Sequence, residues 1–409
     1  MSFPATPASA LRLSVAIVLP ARHLLEGAGA AQVFNYQARA LQAAGCDVTL
    51  VATAPSIRTR AHGNLDALDS ALAKLSEKYL IISDTRPIAG PGVIASTLLA
   101  RLRGRWSLAA DGAVSRFVDA SRLQDLSFDA VVCNYLQCVS TADALVDPSR
   151  QILVLHDLDP GPIPDWLRRF AASRGTVATL NSEETHRLAN AGVQCSTLRA
   201  IQPPGNAAAL ADDLNADAAQ AIEDSRASVK SDDGWKSWQG RSVDLLFVGG
   251  SHPPNVVGLH AFVRDCFAKH LAPQGVNLVI AGEAGPAALA GLDIANVACL
   301  GRVENLAPLY AASRVVISPL LDGTGSSIKV AEAITAGKPV LGAKAAWRGL
   351  SVGTNTALDP PFDERWAKRI LALLRDQKAR EVLFQAGLRA LLDANGEDLA
   401  GIVARVARR

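Results

Sequence analysis

The chain carries little excess charge of either sign: 41 Lys and Arg stand against 39 Asp and Glu, a formal net charge of +2 over 409 residues. No global positive field favours nucleic acid, and the basic patch of nucleic-acid binders is missing. Long hydrophobic runs are missing too. No stretch reaches the roughly 18 consecutive apolar residues of a membrane-spanning helix, so a membrane would be met only by surface contact. The apolar run near the N-terminus is short, follows no basic segment, and reads as a first β-strand rather than a signal peptide. Cysteine is scarce. Cys46, Cys133, Cys138, Cys195, Cys266 and Cys299 form no C-x-x-C pair, and no histidine joins them at metal-ligand spacing. Most lie in apolar runs, so they read as reduced buried thiols in a cytoplasmic protein, which could work at the inner face of the plasma membrane. A complete G-x-G-x-x-G string is also lacking. After the first strand stand Gly27, Gly29 and Gln32, and the second strand ends Val51-Ala52 without an acidic residue, which argues against a dinucleotide-dependent dehydrogenase.

What the chain does have is 49% hydrophobic residues and a length suited to two domains of about 200 residues each. Apolar β-type runs alternate with helical patterns over both halves. Strands are expected over 13–19, 46–52, 80–83, 130–133, 152–156 and 177–180, and again over 245–248, 278–281, 297–300, 315–318 and 340–342. Helices are expected over 31–44, 255–268 and 307–312, and Asn181 is placed to cap another. Continuous apolar strands separated by helices imply parallel sheets covered on both faces. The domains read as 1–202, a connector over 203–241 rich in Ala, Asp and turn residues, a second α/β domain over 242–375, and C-terminal helices over 376–409.

The most informative stretch runs from Ser318 to Val340: a strand, a loop with Gly323, Thr324 and Gly325, a helix, then Gly337-Lys338-Pro339 entering another strand. Such a loop lies at the carboxyl end of a parallel strand, where open sheets bind ligands. Its glycines permit close approach of the backbone. Amides of Ser326, Ser327 and Ile328 are expected to be available at the helix start for a phosphate, with Lys329 adding a full positive charge. Glu332, one turn on, is suited to accept hydrogen bonds from both hydroxyls of a ribose. An ordinary helix start with a surface Lys–Glu pair fits the same pattern.

The segment 244–350 resembles the C-terminal domain of glycosyltransferase family 4, the glycosyl transferases group 1. The likeness rests on Leu246-Phe-Val-Gly-Gly-Ser with Pro254-Asn255, Leu278-Val-Ile-Ala-Gly282, Leu300-Gly-Arg-Val303, Leu306-Ala-Pro-Leu-Tyr310, Val315-Val-Ile-Ser-Pro319, the glycine loop with Lys329 and Glu332, and Gly337-Lys-Pro-Val. The first half resembles the family more loosely, through the Gly27/Gly29 loop, His156-Asp157, Asn181-Ser-Glu-Glu184 and Pro203-Pro-Gly205. The resemblance implies a GT-B type fold, two Rossmann-like domains whose parallel sheets face a central cleft. It implies transfer from a nucleotide-sugar donor to a glycan or lipid-linked acceptor in cell-surface polysaccharide synthesis, with retention at the anomeric carbon and no metal or other cofactor. Donor binding then falls to Gly27, Gly29, Gly249, Gly250, Val303, Gly323, Thr324, Gly325, Ser326, Ser327, Ile328, Lys329 and Glu332, with His156, Lys329 and Glu332 in catalytic roles.

Two departures from the family pattern stand out. Thr324 occupies the place of the family's sugar-contacting Glu, which also fits a homologue that binds nucleotide sugars without turnover. Gly249-Gly250-Ser251-His252 lacks the Arg and Lys that neutralise the diphosphate in many members, so Lys329 is expected to substitute. Finally, Arg101, Arg103 and Arg105 among leucines and Trp106 suggest peripheral contact with an anionic membrane, or equally a solvated helix face.

Overall fold

A computed structural model describes residues 12–25, 29–53, 64–82, 126–158, 161–163, 165–173, 175–200, 243–303, 305–323, 325–350, 356–394 and 396–409. The chain divides into two compact units, one of Met1–Ala200 with Gly396–Arg409, the other Ile201–Asn395. Gly27, Thr324, the arginines at 101, 103 and 105, and the connector over 203–241 lie outside the described residues.

The first unit runs β1 (Ser14–Pro20), α1 (Ala21–Leu25), α2 (Gly29–Ala43), β2 (Asp47–Thr53), α3 (Asn64–Ala73), β3 (Tyr79–Ile82), β4 (Ala130–Asn134), α4 (Val139–Leu145), β5 (Gln151–Leu155), α5 (Asp165–Ser173), β6 (Thr176–Thr179), α6 (Ser182–Asn190) and β7 (Cys195–Thr197). Its seven strands are ordered β3-β2-β1-β4-β5-β6-β7, and every pairing is parallel. Residues 15–19 of β1 and all of β4 and β5 are buried. That is why these strands read as unbroken apolar runs: helices cover both faces of the sheet. Helix α2 presents Val33, Phe34, Gln37, Ala38 and Leu41 to the interior at helical spacing and stops at Gly45, whose φ is 83°. Asn181 caps α6 by accepting the Glu184 amide at 2.8 Å.

The second unit runs β8 (Val243–Val248), α7 (Pro253–Phe262), β9 (Leu278–Ala281), α8 (Ala284–Ala288), β10 (Val297–Gly301), α9 (Ala307–Ala312), β11 (Ser313–Ser318), α10 (Ile328–Thr335), β12 (Val340–Gly342), α11 (Glu364–Arg375) and α12 (Gln377–Leu392). Its parallel strands are ordered β10-β9-β8-β11-β12. β11 shows how the core is built: Val316 joins the apolar cluster on one face, Val315 and Ile317 the cluster on the other. The two α/β units with parallel sheets are the expected fold class.

Two features depart from the expected layout. The helical tail expected over 376–409 is divided between the units. α12 packs on α10 and β12 of the second unit. α13 (Leu399–Val406) belongs to the first unit and packs against α2, β4 and β5. The reason lies in its approach. Leu198 bridges Glu397, the Glu397 amide donates to the Thr197 carbonyl at 2.7 Å, and Ser196 Oγ donates to the Glu397 carboxylate at 2.5 Å. Leu399, Ile402, Val403 and Val406 then turn one apolar face inward. The helix expected over 255–268 begins at Pro253 and continues past Phe262 with π-type hydrogen bonding over Val263–Leu271.

Candidate functional site

In the second unit the strand order reverses direction between β8 and β11, and open sheets bind ligands at the carboxyl ends of strands beside such a switch. Two loops meet there: Gly249-Gly250 after β8, and Pro319 to Ser327 between β11 and α10. The β8 loop is packed backbone on backbone. A Cβ on Gly282, whose φ is 101°, would stand 2.2 Å from the Gly249 carbonyl oxygen, and one on Gly258 would stand 2.2 Å from that of Pro319. Only glycine permits these approaches, and they hold both loops against their neighbours.

Asn255 joins the loops. Its Nδ2 donates to the Gly250 carbonyl at 3.0 Å, and its Oδ1 accepts from Lys329 Nζ on α10. The Lys329 ammonium also lies 5.6 Å from the centre of the Phe247 ring. Burial, and then the nearby Arg348 guanidinium, bring Lys329 down to about 8. The predicted cation is therefore held where water solvates it poorly and a second cation presses on it.

Arg348 was not among the residues expected from sequence. It follows β12 by several residues and reaches back across the glycine loop. Its Nε donates to the Gly325 carbonyl at 3.3 Å, its Nη1 donates to the Ala345 carbonyl, and a Cβ on Gly323 would stand 2.6 Å from Nη2. Gly323 and Gly325 have φ of 148° and 71°, which an L-residue adopts only with strain. The same return of chain changes the loop's amides. The Ser327 amide donates to the Arg348 carbonyl at 3.1 Å and the Ile328 amide to the Ser326 carbonyl at 2.9 Å. The expectation that amides at 326, 327 and 328 stand ready for a phosphate is thus corrected: Ser327 and Ile328 are already engaged. Positive charge at the loop comes chiefly from Lys329 and Arg348. The Ser318 and Ser327 hydroxyls are buried without a hydrogen-bond partner among the described residues, the condition in which a bound ligand supplies the missing bond.

Glu332 lies one turn along α10 from Lys329, beside the buried hydroxyl of Tyr310. Burial raises its carboxyl to about 7, against the opposing pull of that hydroxyl. Tyr310 is pushed well above its usual range by its own burial and by the Glu332 charge. Val303 packs at the margin of the apolar cluster under α10.

His156 belongs to the first unit, directly after β5, and is 5% exposed. Its Nε2 lies 2.8 Å from Asn134 Oδ1, and its ring stacks on Tyr135 at 4.2 Å between centres. Burial lowers it to about 3, with His23 contributing, so the imidazole is neutral. Glu184 fixes the chain just beyond, its Oε1 accepting the Leu158 amide at 3.1 Å. Asp157 and Leu158 follow His156 directly, and Asp159, which completes an Asp-x-Asp string in the sequence, lies outside the described residues. Gly29 begins α2. Among the described residues no three His, Cys, Asp or Glu gather as a metal site, and no helix is long and apolar enough to cross a membrane. The six cysteines are unpaired, and burial carries Cys266 up to about 12 and Cys133 well above its usual range, as inert thiols.

Residues 242–376 match the family model described as glycosyl transferases group 1. No curated protein matches the chain. Among solved structures it is similar to Anabaena HepE in complex with UDP and glucose, with 13% identity, 97% of this chain and 98% of that one covered and a TM-score of 0.61. It is similar to a glycosyltransferase from Rickettsia africae, with 12% identity, 96% of each chain and a TM-score of 0.57. It is also similar to an E. coli trehalose-6-phosphate protein bound with UDP-2-fluoro glucose, with 12% identity, 97% of this chain and 99% of that one and a TM-score of 0.58. The two parallel-sheet units are those of the GT-B type, and residues 242–376 are similar to the glycosyl transferases group 1 domain.

Proposed function

We propose that the protein transfers a sugar from a nucleoside-diphosphate sugar to an acceptor, with retention at the anomeric carbon and without a metal ion. The observation that carries this reading is the pairing of Lys329 and Arg348 around the Gly323/Gly325 loop, beside a carboxyl on the same helix, at the switch point of the second sheet. Two fixed cations in a poorly solvated site suit the diphosphate, whose negative charge grows as the sugar leaves. The buried Ser327 hydroxyl has a bond to give to a phosphate oxygen. Glu332 suits the ribose hydroxyls. In a retaining transfer of this kind the departing phosphate oxygen takes the acceptor proton, so no flanking pair of carboxylates is required. Solved proteins of the same fold hold UDP and UDP-2-fluoro glucose, which makes uridine the base to try first. The acceptor is a glycan or lipid-linked glycan, met at an anionic membrane surface.

The test is a thermal-shift panel of nucleotide sugars, followed by mass analysis of products with and without EDTA. One UDP-sugar should raise Tm by mass action, and transfer or slow donor hydrolysis should survive chelation. A panel without any shift and without turnover overturns the reading. Turnover that disappears with EDTA and returns with manganese or magnesium overturns metal independence and would direct attention to Asp157-Leu158-Asp159.

A further inference from the structure

Three rings stack where β1, β4 and β5 of the first unit end, beside the place where its strand order reverses. Tyr135 lies between His23 at 4.7 Å and His156 at 4.2 Å, with interplanar angles of 20° and 14°. Phe34 closes on His156 edge-on at 5.5 Å. Tyr135 holds φ 66° and ψ 154°, a conformation that costs a non-glycine residue energy and persists only where its surroundings impose it. Its amide donates to the Val154 carbonyl at 3.1 Å, which ties the backbone at Tyr135 to β5. Beneath the stack, Gln37 and Asn134 are fully buried and exchange two hydrogen bonds. Gln37 Nε2 donates to Asn134 Oδ1 at 3.0 Å, and Asn134 Nδ2 donates to Gln37 Oε1 at 2.8 Å.

We propose that the Gln37–Asn134 amide pair is a positioning device that fixes His156 as its Nε2–H tautomer and presents Nδ1 as a hydrogen-bond acceptor to a hydroxyl-bearing ligand. Asn134 Oδ1 receives the Gln37 N–H and faces His156 Nε2, which must then bear the proton. Turning Asn134 alone would set donor against donor in a buried site. Turning both amides together would move the ring proton to Nδ1, which has no partner among the described residues, and an unsatisfied N–H is costly. The neutral state of the ring leaves Nδ1 with a lone pair, and His156 keeps 5% of its surface exposed. The inference rests on the proposed transfer only for the ligand's identity, the hydroxyl being that of a sugar.

The test uses the full chain labelled with 15N-histidine and no added substrate. Two-bond 1H–15N spectra at pH 7 should show, for the ring whose signals vanish in His156→Gln, a protonated Nε2 and a bare Nδ1. Asn134→Leu should yield a mixture of tautomers, and Gln37→Leu, which frees Asn134 to turn, should do the same if Asn134→Leu fails to fold. In the transfer assay these variants should lose roughly tenfold or more in kcat while nucleoside-diphosphate affinity stays unchanged. A protonated Nδ1 in the unsubstituted protein, or an unaltered tautomer in the folded variants, overturns the proposal. Absence of transfer in every protein, with the tautomers as stated, counts against the transferase reading and leaves this one standing.

Discussion

Glu332 is a carboxyl kept where its charge is poorly solvated, and that has opposite consequences for stability and for binding. Its folded value of about 7 lies above the ordinary 4.5. Between those pH values the folded chain binds more protons than the unfolded one, so stability is lost as pH rises through 7. Glu332→Gln replaces the charge with a neutral group of the same shape. It should stabilise the ligand-free protein at pH 8 by on the order of 1–3 kcal/mol and leave it unchanged near pH 4. Nucleotide affinity should fall by roughly 1.5–3 kcal/mol, the range for a hydrogen bond to a charged group. Tm at the two pH values and UDP titration check this; a lower Tm at pH 8 with intact affinity would refute the assignment. Arg348 has the reverse profile. Because its guanidinium presses on Lys329, Arg348→Gln should let the Lys329 ammonium titrate at higher pH, yet weaken UDP by about 1.5–3 kcal/mol. Unchanged UDP affinity in that variant would leave Lys329 as the loop's working cation.

At the scale of elements, the glycine loop is shaped by what crosses it. Gly323→Ala places a methyl 2.6 Å from the Arg348 guanidinium at a φ of 148°. The arginine must swing away, so UDP binding should fall about as far as in Arg348→Gln, with Tm lowered by a few degrees through strain of about 1–3 kcal/mol. Gly282→Ala meets backbone instead, at 2.2 Å from the Gly249 oxygen, and should cost more stability than Gly323→Ala. Equal Tm values for the two would show that the β8 loop yields. The strands were legible because both sheets are covered on both faces and their parallel strands are apolar without interruption. β7 was not: Cys195–Thr197 is three residues long, half-buried, and carries the adjacent polar residues Ser196 and Thr197. The change from α- to π-type bonding at Val263 is invisible in a pattern that reads as helix either way. Lys329, Glu332 and the glycines were legible because one short segment carries them. Arg348, Tyr310 and Asn255 were not assigned roles, since each acts on that segment from another element and only the folded register brings them to it. The engagement of the Ser327 amide has the same origin, its acceptor being a carbonyl on Arg348, far along the chain, whereas Ile328 donates within a tight local turn to Ser326.

For the molecule as a whole, the two units have different stakes in the last residues of the chain. Everything proposed to hold the nucleotide lies between β8 and Arg348, within the unit that ends at Asn395. The residues after it complete the other unit. Glu397 continues the edge beside β7, and α13 buries Leu399, Ile402, Val403 and Val406 against α2, β4 and β5. Fully burying such side chains contributes roughly 1.5–3 kcal/mol each, a large share of a domain's stability of about 5–15 kcal/mol. A chain cut after Asn395 should therefore unfold its first unit at a much lower temperature while the second keeps its transition. UDP at about 100 times its Kd stabilises the unit that binds it by about 2.7 kcal/mol. For a unit of this size, at about 2–4 °C per kcal/mol, that is a shift of roughly 5–11 °C. In calorimetry the shift should persist in the cut chain and fall on the upper transition alone. If the cut abolishes UDP binding, or if UDP moves both transitions equally, the nucleotide site is not confined to the second unit.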